Sequence, residues 1–138
     1  MKLYNHVAYK MCQHEVDMAQ HIPAGGNWKD IPEKITDNRL ANIRDGGGRT
    51  TYYGRLTWDK PSYTINTFFN RVPNGCNLHP EQMRVISTRE AARFQSFPDD
   101  FVFIAKTKSG IYKQIGNAVP PLLARMISTL IKPYLDSY

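Results

Sequence analysis

The segment Gln114-Ile115-Gly116-Asn117-Ala118-Val119-Pro120-Pro121 runs straight into Leu122, Leu123, Met126, Ile127, Leu130 and Ile131, which recur at spacings of three and four. The paired prolines suit the first turn of a helix, where a missing N–H costs nothing. The recurrence gives that helix a broad apolar stripe, which Pro133 is expected to end. In a chain of 138 residues, little is left to cover such a stripe. It either packs on the chain's own core or is offered as an interaction surface.

Upstream, Val7, Met11 and Met18 fall near helical spacing and predict a helix within residues 5–22, broken by Pro23, Gly25 and Gly26. Ile31, Ile35, Leu40 and Ile43 predict one or two short helices before the flexible loop Asp45-Gly46-Gly47-Gly48. The chain then turns aromatic and β-branched. Residues 50–58 and 63–69 read as two strands separated by Asp59-Lys60-Pro61-Ser62, with Tyr52, Tyr53, Phe68 and Phe69 as candidates for their core. Arg84-Val85-Ile86 is a further extended piece. Ser87 and Glu90 form a Ser-x-x-Glu capping box that starts a helix at Thr88. The fold class is α+β, a small unit of short strands and loops with flanking helices.

Eighteen Lys and Arg against twelve Asp and Glu leave a net charge of +6, which favours a polyanionic partner such as nucleic acid. Cys12 and Cys76 make neither a disulfide framework nor a Cys-x-x-Cys zinc pair, so no metal site is expected and both thiols read as reduced. No apolar run approaches the length of a membrane span, and the expected location is cytoplasmic.

Ser87-Thr88-Arg89-Glu90-Ala91-Ala92-Arg93-Phe94-Gln95-Ser96-Phe97-Pro98-Asp99-Asp100-Phe101, followed by Gln114 to Pro121, resembles the last two sequence motifs (IX and X) of the DNA (cytosine-5)-methyltransferases in order and spacing. The resemblance extends over nearly the whole chain. The family's cofactor-binding glycine motif, Pro-Cys nucleophile and Glu-Asn-Val motif lie upstream in those enzymes and have no counterpart here. Cys12-Gln13 does not replace the nucleophile, because Met11 precedes it and its surroundings read as helix. The resemblance therefore implies no catalytic residue in this chain. It implies the small (beta) subunit of a split, AquI-type enzyme, completed by a catalytic subunit carrying motifs I–VIII. Its starting Met1 fits a separately encoded polypeptide. The terminal helix would then pack on the partner's catalytic domain. The alternatives are a non-catalytic DNA-binding fragment or decayed methyltransferase remnant, and a protein-interaction subunit whose terminal helix merely stabilises a partner.

The same resemblance divides the chain into a helical part of the recognition region (1–45), a target recognition domain with motif IX (46–101), and a motif X segment with the docking helix (102–138). It places Asn117, Ala118 and Val119 at one edge of the S-adenosyl-L-methionine pocket; an Asn side chain and backbone amides ahead of a helix suit a carboxylate. Tyr63-Thr64-Ile65 matches the family's Thr-(Leu/Ile/Val) pair, whose Thr touches the phosphate backbone near a flipped cytosine. In the flanking loops, Arg49, Arg55 and Arg71 have the chemistry to read guanine in duplex DNA, and Asn66 or Asn70 to read adenine; each equally suits phosphate. Arg89, Glu90 and Arg93, at helical spacing, are expected to be structural, the arginines satisfying buried carbonyls or a carboxylate.

Overall fold

The computed structural model describes residues 3–137. Within them the chain runs α1 (Gln13–Ala19), α2 (Asn38–Asp45), β1 (Gly54–Arg55), β2 (Cys76–Leu78), α3 (Thr88–Phe94), α4 (Lys108–Gly116) and α5 (Pro121–Leu135), with short 3-10 turns at Trp28–Asp30 and Val72–Asn74. β1 and β2 pair in parallel, and Leu78 forms an antiparallel bridge to Val85. The fold is thus mixed α and β, with very little sheet.

Two apolar cores hold these pieces. The first gathers Met18, Ile22, Trp28, Leu40, Tyr53, Leu78 and neighbours around α1 and α2. The second gathers Leu56, Ile65, Phe69, Ala91, Ala92, Phe103, Tyr112 and Ile115 around α3 and α4. The aromatic pairs divide between inside and outside: Tyr53 and Phe69 are fully buried, whereas Phe68 is exposed and Tyr52 half-buried.

Several segments differ from the sequence expectation. The first helix is short, α1 alone, because residues 4–7, which turn at Tyr4 and Asn5, are tied elsewhere as a strap. Asn5 holds both backbone groups of Phe103, donating to its carbonyl (3.1 Å) and accepting from its N–H (3.0 Å). The Thr88 amide and hydroxyl both donate to the Val7 carbonyl. The two long strands are absent. Residues 63–65 belong to no strand and 67–70 form turns. Their apolar residues plug the cores from loops. Pro133 does not end α5, which continues to Leu135. The carbonyl that a residue-133 N–H would have bonded is that of Thr129, which is exposed and can be met by water.

The capping box forms as its chemistry dictates. Ser87 Oγ accepts from the Glu90 N–H at 3.1 Å, and the Glu90 carboxylate accepts from the Ser87 N–H at 2.6 Å. Arg84 adds a two-pronged bridge to the same carboxylate, at 2.7 Å on each prong. Burial opposes ionisation of Glu90, yet the bonds from Arg84 and Ser87 prevail and hold its pKa at about 2.

Loop carbonyls still need donors once buried, and arginines supply them. Arg55, only 5% exposed, donates from Nε to the Ile22 carbonyl (2.6 Å), from Nη1 to His79 (2.7 Å) and Gln82 (3.3 Å), and from Nη2 to Ala19 (2.8 Å). Arg89 donates to the carbonyls of Tyr4, Pro98 and Phe101, and Arg44 to those of Ile31, Pro32, Glu33 and Ile35. Replacing Arg55 with Lys leaves several of these acceptors unmet. We expect Arg55→Lys to lower unfolding free energy by about 2–4 kcal/mol, measured by urea denaturation. A loss below about 0.5 kcal/mol would show that the fork is not what joins α1 to the sheet.

Candidate nucleic-acid and cofactor-edge site

Ile65 is buried in the second core. The neighbouring Thr64 is exposed, as is Tyr63 before it. The segment 60–65 runs between open clefts. One, of about 370 Å³, is bounded by Gly25, Thr50, Lys60, Ser62, Tyr63 and Cys76. The other, of about 410 Å³, runs along Tyr63, Thr64, Gln95, Gly116, Ala118 and Pro120. Thr64 and the turn after α4 therefore line one cleft. Lys60, Ser62 and Tyr63 share this exposed segment and had no motif to mark them; only their nearness to the Thr-Ile pair could have done so.

Gly116 permits the close junction between these two pieces. A methyl group there would stand 2.5 Å from the Asn66 carbonyl carbon and the Thr67 nitrogen, inside van der Waals contact with backbone that cannot swing away. The end of α4 thus lies flush against the backbone at Asn66 and Thr67. Gln95 helps fix it, its amide donating to the Ile115 carbonyl at 3.0 Å.

Asn117 caps the C-terminus of α4 with φ −92° and ψ −3°, and its N–H donates to the Lys113 carbonyl. Its side chain is exposed, and among the described residues it has no partner. Val119 next to it is 62% exposed. The backbone amides ahead of α5 contribute less than the sequence suggested. Pro120 and Pro121 carry no N–H, and the Leu122 N–H is taken by Ser96 Oγ at 3.1 Å. What remains is the Val119 N–H, with no acceptor among the described residues, and the Asn117 side-chain amide, which both donates and accepts, beside the apolar Val119 side chain. That pair fits one edge of a pocket for S-adenosyl-L-methionine, a ligand with a carboxylate, an ammonium and an adenine ring.

Of the candidate DNA contacts, Arg49 and Arg71 are exposed. The Arg71 guanidinium lies 5.5 Å from the centre of the Phe68 ring. Neither guanidinium has a hydrogen-bond partner among the described residues. Two other candidates are corrected. Arg55 cannot read a base, because its donors are consumed by buried carbonyls. Asn66 is committed to its own loop: its Oδ1 accepts from the Phe68 N–H at 2.7 Å and its Nδ2 donates to the Asn74 carbonyl at 3.2 Å.

Arg89 and Arg93 take the two expected kinds of partner, one each. Arg89 is fully buried among carbonyls, whereas Arg93 sits at the surface in a two-pronged pair with Asp99, 2.8 Å on each prong. Cys12 precedes α1 at the surface. Cys76 is 8% exposed, and burial pushes its thiol up to about 11, so it stays protonated at neutral pH.

α5 contrasts with everything else. Leu122, Leu123, Met126, Ile127, Leu130, Ile131, Tyr134 and Leu135 are each 43–74% exposed, and no residue of the helix is buried. Among the described residues no helix is long and apolar enough to cross a membrane.

Residues 2–132 match the family described as C-5 cytosine-specific DNA methylase. The chain is 40% identical over 127 residues to the type II methyltransferase M.PspPI of Psychrobacter sp. (strain TA137), a match covering 91% of this chain and 30% of that protein. It is 38% identical over 134 residues to the type II methylase M.HgiDII of Herpetosiphon aurantiacus, covering 95% and 38%. DNA (cytosine-5)-methyltransferase 3 of Arabidopsis thaliana is 35% identical over 150 residues, covering 96% of this chain and 10% of its own. The chain thus spans about a third of the length of the bacterial relatives.

The Gly116 junction yields a direct expectation. Gly116→Ala should destabilise the protein by about 1–3 kcal/mol, the usual cost of forcing a methyl into packed structure. It should also speed amide hydrogen exchange at Phe68 and Ala118, one on each side of the contact. Unchanged stability together with unchanged exchange would mean that the two segments are not held against each other.

Proposed function

The chain belongs to the C-5 cytosine-specific DNA methylase family, and from that premise we propose that it is the DNA-recognition subunit of a two-chain DNA (cytosine-5)-methyltransferase. It corresponds to the C-terminal part of the single-chain relatives. Its role is to bind duplex DNA and present the target, while one edge of the cofactor pocket travels with it. The catalytic subunit supplies the thiol nucleophile and the rest of that pocket. The observation that carries this reading is α5: an apolar helix wholly exposed in this chain and continuous with the Asn117–Val119 turn. A helix so built gains stability only when another surface covers it.

The residues divide the work. Thr64, exposed beside the buried Ile65, donates its hydroxyl to a backbone phosphate. Arg49 and Arg71 approach the grooves from loops on either side of the Thr64 segment, where an arginine fork can meet guanine or phosphate. Asn117, Ala118 and Val119 would hold S-adenosyl-L-methionine from one side, and that cofactor supplies the methyl group destined for cytosine C5. Because Gly116 joins Asn117 directly to the segment after Thr64, DNA held by one is held in fixed register with the cofactor edge at the other. Positioning of this kind is worth a large part of a catalytic barrier.

Two substitutions separate docking from cofactor binding in the assembled pair. Ile127→Asp should abolish assembly, since it replaces an aliphatic contact worth roughly 1.5–3 kcal/mol with a charge that must be desolvated. Asn117→Ala should leave assembly intact and weaken S-adenosyl-L-methionine binding by about 1–3 kcal/mol in titration calorimetry. Normal assembly of the Ile127→Asp chain would remove the docking helix from the account. Normal cofactor affinity of the Asn117→Ala pair would remove the cofactor edge.

A further inference from the structure

A second polar constellation lies on α2, outside the loops assigned above. Arg39 and Asn42, three residues apart on this helix, share a side of it, and both are exposed. With Ile43, Gly46, Gly48 and Tyr52 they line an open groove of about 290 Å³. The Arg39 guanidinium lies over the Tyr52 ring, 6.0 Å from its centre. A cation–π contact at this distance uses none of the guanidinium N–H groups. Among the described residues, neither this guanidinium nor the Asn42 side chain has a hydrogen-bond or ion-pair partner. The contrast with Arg44 is direct: on the same helix, it spends its donors on four carbonyls.

The platform under Arg39 is fixed. Tyr52 packs against the first core, its N–H donates to the Arg49 carbonyl, and its own carbonyl accepts from the Trp28 N–H. The groove is therefore continuous with the loop that carries Arg49. Access is open as well. Gly47, at φ +63°, would have nothing within 4 Å of an added Cβ, so nothing blocks the end of the groove beyond α2.

We infer that this α2 groove is a base-reading site for duplex DNA, in which Arg39 donates its fork to the paired acceptors on a guanine edge and Asn42 reads the base beside it. The inference rests on the proposed DNA-binding role. Two features favour a base edge over a phosphate. A phosphate oxygen only accepts, so the acceptor of an Asn amide is wasted on it, whereas an adenine edge offers one donor and one acceptor to that amide. The Tyr52 ring beside it also narrows the space the guanidinium can occupy, which matters for two parallel bonds and little for a point-charge attraction.

The test is enrichment of bound sequences from a pool of randomised duplexes by the full chain, with Arg39→Ala, Arg39→Lys and Asn42→Ala compared at one salt concentration. We expect the unaltered chain to enrich a motif, and Arg39→Ala to lose guanine preference at one of its positions by roughly tenfold or more. The rest of the motif should persist. Arg39→Lys should fail to restore that position, because an ammonium lacks the planar fork, and Asn42→Ala should relax the adjacent position. An unchanged motif in the Arg39→Ala chain overturns the inference. So does a uniform loss over all sequences that Arg39→Lys repairs, the signature of a phosphate contact. If the unaltered chain binds duplexes without enriching any sequence, the inference fails while the DNA-binding reading stands; if it binds none, that reading fails with it.

Discussion

Arg55 donates from all three guanidinium nitrogens inside the protein, to carbonyls at the end of α1, just after it, and in the turn that follows β2. The need it answers is general. A chain whose sheet amounts to two short paired strands buries many loop carbonyls that no ladder can satisfy. An arginine meets several at once, because its donors spread in a fixed plane. Arg44 does the same for residues 31–35, and Arg89 for the strap at Tyr4 and the loop at Pro98 and Phe101. The loops that face outward keep their shape because these three arginines face inward.

This use of arginine reshapes the meaning of the net charge. Part of the +6 is internal and never meets a polyanion. The arginines whose side chains have no hydrogen-bond partner among the described residues are Arg39, Arg49 and Arg71, on elements of the first core or just beyond it and two of them over aromatic rings, together with Arg125 on α5. At the other end of the molecule, α4 and α5 carry a different task. Gly116 presses α4 against the segment that follows Thr64, and α5 then departs with its apolar face uncovered. The proposed DNA contact, cofactor edge and docking helix would in this way all lie between Thr64 and Leu135.

Local chemistry was legible in the sequence wherever it depends on neighbours in the chain. The capping box at Ser87 and Glu90 forms as written, and α5 begins at Pro121 as a proline-led helix should. Long-range choices were not legible. Arg55 and Arg49 are chemically identical, and only the carbonyls gathered from residues 19–82 show that one is structural. Asn66 misled for the same reason, since its partner Asn74 lies across a loop. The two expected strands failed because aromatic and β-branched residues suit a buried position of any kind. Ile65 and Phe69 fill a core from a stretch outside any strand and a turn, without a ladder. Arg39 and Asn42 carried no motif signal at all; Arg39 stands out only once Tyr52 is seen beneath it.

The central claim is that this chain recognises DNA for a reaction whose nucleophile lies on another polypeptide. Incorporation of labelled methyl groups from S-adenosyl-L-methionine into duplex DNA tests it most directly. The assay compares the chain alone, the chain mixed with a polypeptide carrying the family's upstream motifs, and the same mixture made with Cys12→Ser/Cys76→Ser. The account predicts no incorporation by the chain alone and incorporation by both mixtures, since neither of its thiols is used. Methylation by the chain alone, or its loss from the mixture when the two cysteines are replaced, would contradict it.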